Sequence, residues 1–404
     1  MKYTFERFRR FCAFIAGFVF FISGILKVLD PVGAGLVMKE YFEFLHIGFL
    51  SPASKITGTG FALLETIVGA ALITGVWRKL TAITAMVVQG FFTLLTLALV
   101  IFNPEMDCGC FGEAIHLSHL ETFIKNIVLC ALLAGAFIPL KSIGEPLKKK
   151  YVSFGIVTMS VILFSIYSLL YIPLMDFTEF RQTAQLQAAD SYAVADSEKY
   201  EAVFVYEKNG ETQTFDLQHL PDSTWNFVST ETILRAEYQE NGINLSLYNA
   251  DGEYMDHLAA DGNVMVISVY KPQWKDVRWK ETAHFISDAI SAGYTPLVLT
   301  ASTPDEMTVI LENLDDASRN LIKDCLYYSD YKTLLTLNRS NGGAVWFSDG
   351  YLIRKWAQRT LPDEAQMRAD ISSDVTEAVI EKSTKGSIAF QGFLLYVFAV
   401  MLLL

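Results

Sequence analysis

Long apolar runs over residues 11–29, 56–77, 80–102, 120–140 and 151–173 constrain this chain more than any other feature. At about 1.5 Å of rise per residue, each is long enough as a helix to cross a hydrocarbon layer of roughly 30 Å. A sixth run, 388–404, has 17 residues and stops at the C-terminus. Composition agrees: with 52% hydrophobic and 19% charged residues, a 404-residue chain is too apolar for an ordinary soluble protein. The first run follows basic residues, as in a signal peptide, but no small-residue cleavage site follows it. It therefore reads as a retained helix.

Short loops rich in lysine and arginine stay on the cytoplasmic side of a membrane. Lys2, Arg7, Arg9 and Arg10 precede the first run, and Arg78 and Lys79 separate the second from the third. Lys141, Lys148, Lys149 and Lys150 separate the fourth from the fifth. These ten outnumber Lys27, Lys39, Lys55 and Lys125 on the opposite side, so the N-terminus is expected in the cytoplasm. Six spans then place both termini inside and put the 103–119 loop and all of 174–387 outside, in an oxidising compartment.

The external segment 174–387 has 34 acidic and 18 basic residues, net −16, while the rest has 10 and 14, net +4. An acidic surface of this kind is well solvated and argues against nucleic acid and against adhesion to anionic lipid. From Glu201 the segment EAVFVYE alternates, turns at Asn209-Gly210 and resumes as TQTFDL, a hairpin pattern. NLSLYNADGEYMDH repeats the pattern around Asp251-Gly252. Residues 174–257 are expected to form a linker and a β-rich subdomain.

Beyond it, NVMVISVY is a buried-strand run, 278–292 a helix and TPLVLTAS another strand. Thr303, Pro304 and Glu306 open a further helix as cap, first-turn proline and capping-box partner. A strand at CLYYS, a helix at 330–338 and a hairpin around Asp349-Gly350 complete the order β-α-β-α-β-α-β-β. This order resembles thioredoxin-like domains of the TlpA and peroxiredoxin-related kind over roughly 245–370. The resemblance implies a Cys-x-x-Cys between NVMVISVY and the next helix, and a cis-proline before the hairpin. Here the first place reads KPQWKDVRWK and the second holds Asn341, Gly342 and Gly343, so dithiol chemistry is not expected at this domain's usual site. Cys325 falls in a strand, where it reads as a small buried hydrophobe, with a resolving thiol as the alternative. Cys12 and Cys130 lie inside spans and read as inert.

The two remaining cysteines stand at the outer end of the third run, in NPEMDCGCFGEAIHLSH. Cysteines at i and i+2 close only a tight ring, and strained, exposed disulfides exchange more readily than relaxed ones. Gly109 gives that ring its backbone freedom and Gly112 relaxes the turn after it. Ser118 and Glu121 form a capping box that starts the next helix. Three readings of the loop stay open: a redox pair Cys108/Cys110, a structural disulfide, and a metal site of Cys108, Cys110, His116 and His119.

FISGILKVLDP, LLETIVGAALITGVW, and CGCFG followed by ETFIKNIVLC resemble the DoxX/MauE group of small membrane proteins, over about 5–140. The resemblance implies a link with methylamine utilisation and support of disulfide formation in a periplasmic enzyme, on a four-helix membrane oxidoreductase scaffold. Ionisable groups inside spans default to function, which singles out Glu65, with Lys27 and Asp30 at the outer end of the first span. Such a cluster relays protons or positions a quinone headgroup, although no quinone motif is present.

The fold class expected is an α-helical membrane bundle over 1–173 and an external α/β thioredoxin-like domain over 258–387. The latter has a β-rich N-terminal extension at 174–257, and a transmembrane helix at 388–404 ends the chain. Three functions compete for this multi-pass protein of the bacterial inner membrane. One is a thiol–disulfide component that works with a periplasmic partner bearing exchangeable thiols. The second is a scaffold whose redox-inactive thioredoxin fold binds a client, and the third is a metal-handling protein.

Overall fold

The computed structural model describes residues 2–104, 106–139, 146–186, 200–208, 211–215, 221, 224–234, 242–373 and 375–403. Lys141 and the Asn209-Gly210 turn lie outside the described residues. The chain forms two compact units, Met1–Thr178 with Ile380–Leu404, and Glu179–Val379.

The first unit is helical. It contains α1 (Lys2–Leu29), α2 (Pro31–Phe44), α3 (Ser54–Thr74), α4 (Arg78–Phe102), α5 (His119–Phe137) and α6 (Lys148–Leu170), with the last part of the chain's final helix. Among the described residues six helices are long and apolar enough to cross a membrane, the last being Thr384–Leu403 with 20 residues. This sixth stretch exceeds the 17-residue run because the helix continues back through Lys385 and Gly386, where the uncharged run stops. Helix α1 packs on α3 and α5, α4 on α5, and α6 on α3. The α1–α3 crossing is tight: a Cβ at Gly24 would overlap Thr66, and one at Gly69 would overlap the Phe21 backbone. Small residues allow such backbone approach, which is how membrane helices gain packing without a hydrophobic drive between them.

Helix α2 has 14 residues, too few to cross. It starts where it does because Asp30 accepts from the Gly33 amide at 2.9 Å and Pro31 occupies the first turn. A 4-residue strand β1 (Cys110–Glu113) follows the loop after α4.

The second unit holds two sheets. β2 (Tyr200–Lys208) pairs antiparallel with β3 (Glu211–Phe215), as the hairpin pattern predicts, and with β4 (Asn226–Leu234) on its other edge. A five-stranded mixed sheet follows, built from β5 (Asn263–Val269), β6 (Thr295–Thr300), β7 (Leu326–Tyr328), β8 (Gly343–Ser348) and β9 (Tyr351–Trp356), in the order β7-β6-β5-β8-β9. β5, β6 and β7 run parallel, while β8 is antiparallel to β5 and to β9.

The helices of this unit are α7 (Trp279–Ala292), α8 (Pro304–Leu311), α9 (Asp316–Lys323), α10 (Tyr331–Leu337) and α11 (Glu364–Ser372); α12 (Val375–Leu403) leads back to the membrane unit. Successive β5 residues serve opposite cores. Met265, Ile267 and Val269 pack with Trp279, Ile286 and Met307, while Val264 and Val266 pack with Leu245, Leu334 and Phe347. A strand covered on both faces has to be continuously apolar, which accounts for the NVMVISV run. Thr303 and Glu306 form the expected capping box at α8.

One expected hairpin is cut short. NLSLYNADGEYMDH makes a turn with a single bridge between Tyr248 and Tyr254, because the limb before the turn is otherwise engaged. The Asp256 carboxylate takes the amides of Leu245, Ser246 and Leu247 at 2.8, 3.3 and 2.6 Å, together with the Tyr254 hydroxyl at 2.8 Å. Those amides are no longer free to pair with a strand. Burial outweighs these four bonds and pushes the Asp256 carboxyl above the usual aspartate value. A raised folded value adds stability that is complete below the unfolded value of about 3.9 and disappears as pH rises through the folded value. On acidification from pH 7 to about 4, down to the unfolded value, the wild type should therefore gain melting temperature relative to Asp256→Asn. Parallel shifts in the two proteins, read by thermal unfolding, would contradict this.

Candidate functional site

Three elements converge on the CGC loop. After α4 ends at Asn103, whose φ of 42° is the left-handed turn asparagine tolerates, the chain folds back over the helix ends. His119 fastens this return, its ring nitrogens 2.9 Å from the Met106 carbonyl and 3.3 Å from Asn103 Oδ1. Ser118 caps α5, and its amide and hydroxyl both donate to Glu121 Oε2, at 2.9 and 2.7 Å. Gly109 and Gly112 have φ of 58° and 61°. A Cβ at Gly109 would run into the Val37 side chain of α2, so glycine is required twice over, by conformation and by space.

Each cysteine is held through its own carbonyl. Tyr41 of α2 donates its hydroxyl to the Cys108 carbonyl at 2.7 Å. Burial pushes the Tyr41 phenol above its ordinary value, with the two cysteines adding to the shift, so it stays a donor. The Cys110 carbonyl is held by Ser23 of α1.

Ser23 connects the loop to the polar groups of the spans. Its hydroxyl lies 2.7 Å from Glu65 Oε1 as well as beside the Cys110 carbonyl, and can donate to one of them at a time. Lys27, one turn along α1, donates to Glu65 Oε2 at 2.6 Å and to Ser23 Oγ at 3.2 Å, and lies over the Phe92 ring. Glu65 sits near the middle of α3 and is 6% exposed. The pair Lys27–Glu65 thus lies directly under the CGC strand. Asp30 serves as the cap of α2.

The two thiols differ. Cys108 is 5% exposed and packs with Tyr41, Leu99 and Val37, and burial pushes its thiol above the ordinary value. Cys110 is half-buried. All five cysteines are free thiols in this structure. Cys12 is buried among apolar side chains, Cys130 meets Thr93 Oγ1 at 3.3 Å, and Cys325 is buried in the second unit.

The metal alternative does not assemble. His119 is turned to Met106 and Asn103, and His116 has its Nδ1 3.6 Å from Asp107 in an exposed position. Among the described residues no group of three or more histidine, cysteine or carboxylate side chains is placed to hold a metal ion.

Other groups around the loop escape sequence reasoning. Gln89 donates to the Asn126 carbonyl at 3.2 Å, and Asn126 donates to Thr96 Oγ1 at 3.1 Å, a buried polar ladder between α4 and α5. The spacing of Gln89 and Thr96, seven residues apart, puts them on one helix face and was a usable signal. Tyr41 left none, since nothing local ties a tyrosine of α2 to a loop 67 residues away.

In the second unit, the loop between β5 and α7 is closed by Asn341. Its Oδ1 accepts from the Lys271 amide at 2.9 Å, and its Nδ2 donates to the carbonyls of Lys271 and Asp276 at 2.9 and 3.2 Å.

Six apolar helices and a bundle that encloses charged and amide side chains define a multi-pass helical membrane protein. Residues 6–139, which carry α1 to α5 and the CGC loop, match the family described as Methylamine utilisation protein MauE; the membrane unit is MauE-like. Residues 200–237, around β2 to β4, match a family described as Domain of unknown function (DUF8463). No curated protein and no solved structure matches the chain.

Proposed function

We propose that this protein is a thiol–disulfide exchange component of the bacterial inner membrane and that Cys108 and Cys110 are its reacting residues. The pair faces the periplasm by the distribution of basic loop residues. In the exchange, the Cys108–Cys110 disulfide breaks as a disulfide forms in a periplasmic protein, and two electrons and two protons pass between the two pairs. The observation that carries this reading is the asymmetric fixing of the loop. Both carbonyls are held by different helices, one thiol is buried and the other reachable, and a charged pair lies beneath. A bridge with a purely structural role needs neither the buried charge nor the spare access.

The second unit we read as thioredoxin-like, from its parallel β5-β6 pair, the antiparallel β8-β9 hairpin and the helices on both faces. The Asn341 clip occupies the place of its redox chemistry. On this reading the unit binds the periplasmic client and the CGC loop carries the electrons.

Acid-trapped membranes treated with a thiol-reactive mass tag should show a population with two reactive thiols. This population should grow with external reductant, revert with oxidant and disappear in Cys108→Ser/Cys110→Ser. A pair that stays oxidised under mild reductant would refute exchange in favour of a structural bridge. One that stays reduced until a chelator is added would refute it in favour of metal.

A further inference from the structure

The membrane unit encloses a cavity of about 330 Å³ that the exchange reaction leaves unexplained. Cys108, Gly109 and Cys110 form part of its wall, Lys27 and Glu65 another part, and Phe61, Phe91 and Phe92 line it too. This volume falls at the lower end of ligand sites, roughly 300–1,000 Å³. We propose that it holds the ring of a lipid-soluble quinone, and that this quinone takes the electron pair of the Cys108/Cys110 dithiol. The inference rests on the exchange reading and adds the electron acceptor and the direction of flow.

Four features select the ligand. The cavity lies within a bundle of membrane-crossing helices and is lined largely by hydrocarbon side chains, which suits a solute of the bilayer. Phe61 and Phe91 present nearly parallel rings, 9° apart in plane with centroids at 6.2 Å, and Phe92 stands against both, a setting for a flat ring. The Lys27 ammonium has three N–H groups, and its bonds to Glu65 and Ser23 use two, leaving one for a carbonyl oxygen of the ligand. The same cavity is lined by a dithiol, which gives up two electrons on closing to a disulfide. An acyl chain meets the first condition and none of the others. A quinone meets all four, and its isoprenoid tail can leave past Leu45 and Phe91, each nearly half exposed.

The balance is complete. Two S–H bonds break and one S–S bond forms between Cys108 and Cys110, while the two quinone oxygens gain two protons and two electrons to give the hydroquinone. The protein then regenerates its disulfide from the membrane and passes it outward.

The test uses full-length protein in lipid nanodiscs with a short-tail ubiquinone and with menadione, without oxygen. The reduced protein should convert one quinone per CGC pair, followed by ultraviolet absorbance, as two thiols become unreactive to the mass tag. Cys108→Ser/Cys110→Ser should still bind the quinone saturably, read as a quinone-dependent rise in melting temperature. Phe91→Ala, at the exposed rim, should weaken that binding about tenfold while exchange with a soluble dithiol persists. If the thiols cycle with a soluble dithiol but neither quinone binds or is reduced, this inference falls and the exchange reading stands. If quinone binds while the thiols never react, both fall. Equal displacement by oleate with no electron transfer would make the cavity a lipid site and overturn the proposal.

Discussion

Replacing Glu65 by alanine is expected to destabilise the membrane unit by about 3–5 kcal/mol, because it leaves the Lys27 ammonium buried without its counter-ion. The two side chains are 15% and 8% exposed, so solvent screens the pair little. The carboxylate also competes with the Cys110 carbonyl for the single Ser23 proton, so its loss leaves that proton to the carbonyl. Lys27→Met/Glu65→Met removes both charges and should recover most of the melting temperature, since a buried ion pair is often no better than hydrocarbon of similar volume. In the double variant the Ser23 hydroxyl is left with the Cys110 carbonyl alone, so the loop should be held at least as firmly, seen as alkylation of Cys110 no faster than in the wild type. A single Glu65→Ala variant that melts within about 1 kcal/mol of wild type would mean that the ammonium finds water or another partner.

Glu65 and Lys27 were legible in the sequence, though not as a pair, because charge inside a span is rare enough to stand out. Ser23 was not, since a serine inside an apolar helix usually returns its proton to its own backbone, as Ser160 does to Ile156. Tyr41 was hidden for another reason: α2 is short, sits between two spans, and acquires its meaning only when the CGC loop folds across it. The same logic covers the second unit. β5, β6 and the capping box of α8 were visible because they follow local rules of burial and capping. Helices α9 and α11 were missed because among their residues only Ile322 and Met367 are fully buried, and one buried residue makes no period. The hairpin expected around Asp251-Gly252 stops short at Asp256, a residue just beyond the turn whose carboxylate reaches back for three amides. In each case the missing information was a contact between segments, which no window of sequence contains.

The unequal thiols lead to the sharpest expectation about exchange. In a dithiol mechanism one cysteine meets the partner and the other resolves the mixed disulfide. Cys108 is 5% exposed with its thiol pushed up by burial, so its thiolate is scarce and shielded, whereas Cys110 is half-buried and nearer the surface. Cys110 is thus assigned to the partner and Cys108 to resolution. Cys108→Ser should accumulate a mixed disulfide between Cys110 and the periplasmic protein, at least about tenfold above Cys110→Ser, when membranes are acid-quenched and run without reductant. The order of alkylation at pH 8 should follow the same logic: Cys110 first, then Cys108. Cys325, 6% exposed and pushed up to about 12 by burial, should react only after denaturation. Equal trapping by the two single variants would reverse the argument, because it would mean that Cys108 leaves its place beside Tyr41 and Leu99 before any partner arrives.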